Sequence, residues 1–102
     1  MARIALFQMT SGIEPGDNAR AIVGAVGGAA MGGAQMLFTP EMAGLVDRDR
    51  ARASAHVVPE GQNVVLAQVR DAAARAGIWV VLGSIPVLRD DGRWANRCLV
   101  VD

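Results

Sequence analysis

The sequence predicts an α/β fold in the order β-α-β-α-β-β. Three observations carry this. Short apolar runs bounded by Gly, Pro or polar residues recur at 2–8, 35–39 and 78–85. Segments of helical periodicity lie between them, the clearest at 62–76. Asp90-Asp91-Gly92 then separates two apolar runs as a hairpin turn does. Strands joined through helices pair in parallel, with the helices against a face of the sheet.

The elements follow in order. Residues 2–8, rich in Ile, Leu and Phe, read as a buried strand. Thr10 to Asp17 holds Ser11, Gly12, Pro15 and Gly16 and reads as a loop. Asp17 or Asn18 is placed to cap a helix that runs to about Gly32, with Ile22, Val23, Val26, Ala29 and Ala30 as its apolar stripe. Five glycines fall between 24 and 33. Each costs about 1 kcal/mol against alanine in a helix interior. Such a helix relies on packing, and its small face would allow close approach to a sheet.

Gln35–Thr39 is the second strand, with Pro40-Glu41-Met42 at its carboxyl end. Asp47–Ala55 reads as a short surface helix, where Arg48, Arg50 and Arg52 alternate with Asp47 and Asp49 as a solvated face. Val57–Gly61 is a loop with Pro59. In the helix 62–76, Val65, Val69, Ala72, Ala73 and Ala76 line one face, and Gly77 stands where a left-handed cap ends a helix. Ile78–Ile85 reads as a strand buried on both sides, and Pro86–Leu88 with Trp94–Val101 as a hairpin.

Composition narrows the chemistry. Ten basic residues balance ten acidic ones in 102 residues, so no net field favours nucleic acid or an anionic membrane. Every basic residue is arginine, which excludes Schiff-base or oxyanion chemistry from a lysine of this chain. One cysteine and one histidine exclude an internal disulfide, multi-cysteine metal motifs and a two-histidine zinc site; no metal or cofactor motif is present. The uncharged stretch Ala21–Pro40 has the length of a membrane span and GxxxG spacing at Gly24, Gly28 and Gly32. Its strong apolar residues cluster at the two ends, with glycine pairs between. It therefore reads as helix, turn and strand, and no membrane partner is expected. No signal-peptide pattern opens the chain, and a cytoplasmic protein with a reduced thiol is the expectation.

Glu41 is the sharpest candidate residue. It stands at the carboxyl end of a parallel strand, where open α/β sheets place functional groups. A carboxylate among apolar neighbours loses solvation, which raises its pKa toward general-base range. Its alternative reading is a surface glutamate in a loop. Cys98 lies between Arg97 and Leu99 in an apolar strand and reads as a small buried core residue rather than a nucleophile. His56 has no partner in sequence and reads as structural or exposed. The glycine pairs match no phosphate-binding pattern.

Taken together, Ile4–Met9, Asp17-Asn18, Gly33–Glu41, Gly77–Ser84 and Trp94–Arg97 resemble, in order, the opening of the carbon–nitrogen hydrolase (nitrilase) superfamily. Gln8-Met9-Thr10-Ser11 is similar to the Nit-like amidase branch, which includes deaminated-glutathione amidases and omega-amidases. The resemblance implies an α-β-β-α sandwich, usually dimeric or larger, so a homo-oligomer. It implies hydrolysis of a small-molecule amide. A cysteine thiolate attacks the carbonyl carbon to give a thioester, a glutamate acts as general base, and a lysine stabilises the oxyanion. Only Glu41 carries over. The family's lysine and cysteine fall beyond residue 102, and Cys98 does not match the nucleophile. Residues 1–102 are thus expected to be a partial carbon–nitrogen hydrolase domain, inactive alone. A binding or assembly module that pairs with a partner, and a small self-sufficient domain, are the other readings.

Overall fold

The computed structural model describes residues 2–102. Strand β1 spans Ile4–Leu6, helix α1 Pro15–Met31, strand β2 Met36–Phe38, helix α2 Arg50–Ser54, helix α3 Val64–Ala76, strand β3 Trp79–Leu88 and strand β4 Trp94–Val101. A single 3-10 turn, Glu60–Gln62, precedes α3. The strands form one sheet in the order β1-β2-β3-β4. The first three run parallel, as βαβ connections require, and β4 returns antiparallel beside β3. The predicted α/β class and strand directions hold. Pro86, assigned from sequence to a separate hairpin arm, continues β3 and pairs with Asn96.

α1 begins earlier than predicted. Pro15 occupies its first turn, where a missing N–H costs nothing, and Glu14 is the N-cap residue. Neither Asp17 nor Asn18 caps it. The buried Asn18 side chain accepts from the Gly12 N–H at 2.8 Å and donates to the carbonyls of Gly12 at 2.9 Å and Gly44 at 3.0 Å. It ties the loop before α1 to the segment after β2. α3 keeps its predicted stop, with Gly77 left-handed at φ 69°. At its start Asn63 Oδ1 accepts from the Leu66 N–H at 2.9 Å.

The two long helices share one face of the sheet. Ala19, Ile22 and Val26 of α1 meet Val65, Leu66, Val69 and Ala73 of α3 over an inner row of Leu37, Val80, Leu82, Ile85 and Val87. Burying each of the larger side chains contributes about 1.5–3 kcal/mol. The glycines of α1 do not serve this contact. A Cβ at Gly24, Gly27 or Gly28 would meet nothing within 4 Å. These positions face outward, because the inward stripe is set by Ala19, Ile22 and Val26.

The opposite face of the sheet is largely open. Register places Ile4, Met36 and Trp79 in one row and Leu6, Phe38, Val81 and Val100 in the next. β1 is therefore not a buried strand: Ala5 and Phe7 reach the core while Ile4 and Leu6 are 55% and 74% exposed. β3 is not buried on both sides either, since Trp79 is 47% exposed. Helices on a single face leave alternate residues of each strand uncovered. Only at the far end does a small cluster of Leu45, Ala53 and Val57 pack against Leu88 and Trp94.

Replacing Gly24, Gly27 or Gly28 with alanine is expected to stabilise the chain by about 1 kcal/mol each, because helix propensity improves and the added methyl meets no neighbour. Urea unfolding of the three variants checks this. A loss of stability would show that this face of α1 is packed in solution.

Candidate functional site

The site is built where β3 breaks its register. Pairing with β4 runs to Leu82↔Leu99 and resumes at Ile85↔Arg97, so Gly83 and Ser84 oppose Cys98 alone. Two residues against one is a β-bulge, and bulges re-aim side chains. The extra residue resets the alternation, so Leu82 and Ile85 are both fully buried although they are three positions apart. Gly83 and Ser84 are thereby freed for the segment that leaves β2.

That segment is fastened residue by residue. The Thr39 N–H donates to the Val81 carbonyl at 2.9 Å, extending the parallel ladder past β2. The Thr39 hydroxyl accepts from the Gly83 N–H and donates to the Val81 carbonyl, each at 3.3 Å. A Cβ on Gly83 would lie 2.5 Å from the Pro40 carbonyl, so only glycine permits this approach. The chain then turns at Glu41 and Met42. Met42 has φ 54°, the one positive-φ non-glycine among the described residues. That conformation costs about 1–2 kcal/mol. Its N–H donates to Ser84 Oγ at 2.8 Å, and the Ala43 N–H donates to the Ser84 carbonyl at 2.9 Å.

Glu41 stands at the tip of this turn, at the carboxyl end of β2 as expected, and is exposed. The predicted loss of solvation is not delivered by the described residues. Its apolar sequence neighbours anchor the turn and do not enclose the carboxylate. Cys98 is also exposed rather than buried. Ala95, Leu99 and Val101 of β4 face inward, and the regular alternation of that strand puts Cys98 on the uncovered side with Val100. His56 is half-buried and lines a cavity of about 280 Å³ with Glu14, Asn63 and Pro86, apart from Glu41 and Cys98. The structure thus joins Glu41 to neither of the other candidates. It fastens the turn that carries Glu41 to Gly83 and Ser84 instead, through Thr39, Met42 and Ala43. The small polar pair Gly83-Ser84 inside an apolar strand was the available signal for this.

Beyond Met42 the chain lines a second cavity of about 250 Å³ with Asp47, Arg50, Trp94 and Asn96. The arginines here are not simply a solvated face. The Arg50 guanidinium lies 4.1 Å from the centroid of the Trp94 ring. Arg52 forks onto Asp47, Nε donating at 2.7 Å and the terminal nitrogen at 2.6 Å, and the Asp49 N–H donates to the same carboxylate at 2.9 Å. These bonds, the Arg52 pair first, lower the Asp47 pKa to about 2. Among the described residues, no group of three or more His, Cys, Asp or Glu is placed to hold a metal ion. Among them, too, no helix is long and apolar enough to cross a membrane.

Fold and site together define an α/β protein that presents one carboxylate on a clamped turn at the carboxyl edge of a parallel sheet. The carbon-nitrogen hydrolase family profile matches residues 3–102, and the chain belongs to that family. Among solved structures it is similar to the NitN amidase of Nesterenkonia sp. AN1, with TM-score 0.82 and 29% identity over 100% of this chain and 40% of that one. A glutamate-to-glutamine mutant of that amidase, carrying the product of Michael addition of acrylamide at its active-site cysteine, matches with TM-score 0.82 and 28% identity, again over 100% and 40%. The C. elegans NitFhit protein matches with TM-score 0.83 and 22% identity, over 100% of this chain and 26% of that one, a likeness of fold. The chain spans about 40% of the length of the amidase. No curated protein sequence matches it.

Replacing Asp47 with asparagine is expected to lower stability at neutral pH. A depressed carboxylate stabilises the fold above its unfolded value of 3.8 and loses that contribution as pH falls through about 2. The melting difference between D47N and the native chain should therefore shrink across that window. Thermal unfolding of both proteins down the pH range measures it, and a pH-independent difference would show that the carboxylate charge is not what matters.

Proposed function

We propose that this chain is the N-terminal portion of a carbon–nitrogen hydrolase domain that cleaves linear amides, with Glu41 as the general base. The observation that carries the reading is Glu41 itself, held on a rigid turn at the carboxyl end of β2 and open to a substrate. In the resembled mechanism a thiolate adds to the amide carbon, ammonia or an amine departs after protonation, and water hydrolyses the thioester to the acid. Glu41 would take the thiol proton in the first half and activate the water in the second. This chain contains no lysine, and Cys98 lies on the outer side of β4. The nucleophile and the oxyanion partner therefore belong to residues beyond 102, and the 102-residue chain alone is inactive.

The open apolar rows on the sheet support the same reading. Ile4, Leu6, Trp79 and Val100 form the kind of surface that a second layer covers. The same surface favours a second reading, an assembly module that docks on a partner without turnover. A cytoplasmic location and a homo-oligomer belong to the same proposal; the free thiol of Cys98 and the resembled assembly support them.

Amide hydrolysis by this chain, beside a version extended through the downstream coding frame, tests the proposal. The short chain is expected to be silent and the longer one active. Glu41→Gln in the longer one should lower kcat by about a hundredfold or more. Turnover by the short chain, or an indifferent Glu41→Gln, would overturn it. Silence of both, with the short chain forming a stable complex in size-exclusion chromatography, would favour the assembly module.

A further inference from the structure

Ser84 is buried in the β3 bulge, and no role in chemistry follows from its sequence context. Its two oxygens nevertheless capture two consecutive N–H groups of the Glu41 turn. Oγ accepts from Met42 at 2.8 Å and the carbonyl accepts from Ala43 at 2.9 Å. On the other side of the turn, Thr39 is tied to Val81 and Gly83, and Pro40 rests against the Gly83 backbone. Only Pro40 and Glu41 lie between these two anchors, and the proline ring fixes φ of the first. With both ends held, the backbone angles of Glu41 and of residue 42 must close the turn together, which couples the direction of Glu41 to the conformation of residue 42. Met42 holds φ 54° without glycine's freedom, so something must hold it there. The Ser84 hydroxyl is the side-chain group bonded to its amide.

We propose that Ser84 is a positioning residue for Glu41: its hydroxyl locks Met42 in the left-handed conformation and so sets the direction in which the Glu41 carboxylate leaves the sheet. Catalytic use of this arrangement rests on the proposed function, while the arrangement itself does not. Thr39 and Gly83 fix the entry to the turn, and Ser84 fixes its exit.

The deciding experiment is NMR on this chain with Ser84→Ala and Ser84→Thr. It reads the backbone carbon shifts of Met42 and Glu41, which report φ and ψ. In Ser84→Ala the Met42 shifts are expected to leave the left-handed range and the Glu41 backbone shifts to move with them. Ser84→Thr, which keeps the hydroxyl, should retain both native signatures. Native signatures in Ser84→Ala would overturn the proposal. If Ser84→Ala unfolds, Met42→Gly is added, because glycine adopts positive φ unaided; failure of the pair to refold would equally overturn it. In the extended protein, Ser84→Ala should lower kcat about tenfold with KM changed less than twofold. It should lower kcat no further in a Glu41→Gln background, and a full tenfold loss there would count against action through Glu41. An extended native protein without turnover overturns the proposed function, and the NMR result still decides the role of Ser84.

Discussion

The contact between the β3 bulge and the turn after β2 organises the rest of the molecule. Gly83 lets the Pro40 carbonyl come to a distance that any Cβ would forbid, and Ser84 catches the turn as it leaves. The same two residues shift the alternation of β3 by one position. That shift lets Leu82 and Ile85 both enter the core, so packing and site depend on one irregularity. A regular strand there would aim Ile85 outward and leave the turn without an anchor.

A second constraint radiates from the first. Gly44, just past the turn, would bring a Cβ within 3.1 Å of Ile85, and its carbonyl accepts from Asn18. The start of α1 is thus coupled to the segment that carries Glu41. Further along, the Asp47–Arg52 fork ties α2 to the segment before it, and the Arg50–Trp94 contact holds α2 against the hairpin end. The carboxylate therefore sits in a fixed frame although its own side chain is open to solvent. Pre-organised placement of a group that is still accessible is what the general-base role proposed for Glu41 requires.

Much of this was legible in the chain. The helix 62–76 declared itself by periodicity and by Gly77, and the position of Glu41 by an apolar run ending in Thr39-Pro40. The expectations of burial fail for one physical reason. An apolar run reads as buried in the sequence, but α1 and α3 cover one face only, so Ile4, Leu6, Trp79 and Cys98 are exposed. α1 starts earlier than its sequence suggests because Pro15 and Gly16 look like loop, while proline in a first helical turn is favourable.

By itself the sequence determined the order of the four strands and the two long helices, the parallel strand directions and the carboxylate at the end of β2, because these follow from local period, turn chemistry and connection rules. The tertiary structure alone decided which face of the sheet is covered, where β3 bulges and what holds Glu41 in place. Ser84 and Met42 are 42 residues apart. Their bond arises only when parallel pairing sets β2 and β3 side by side, and no local pattern encodes a contact of that range.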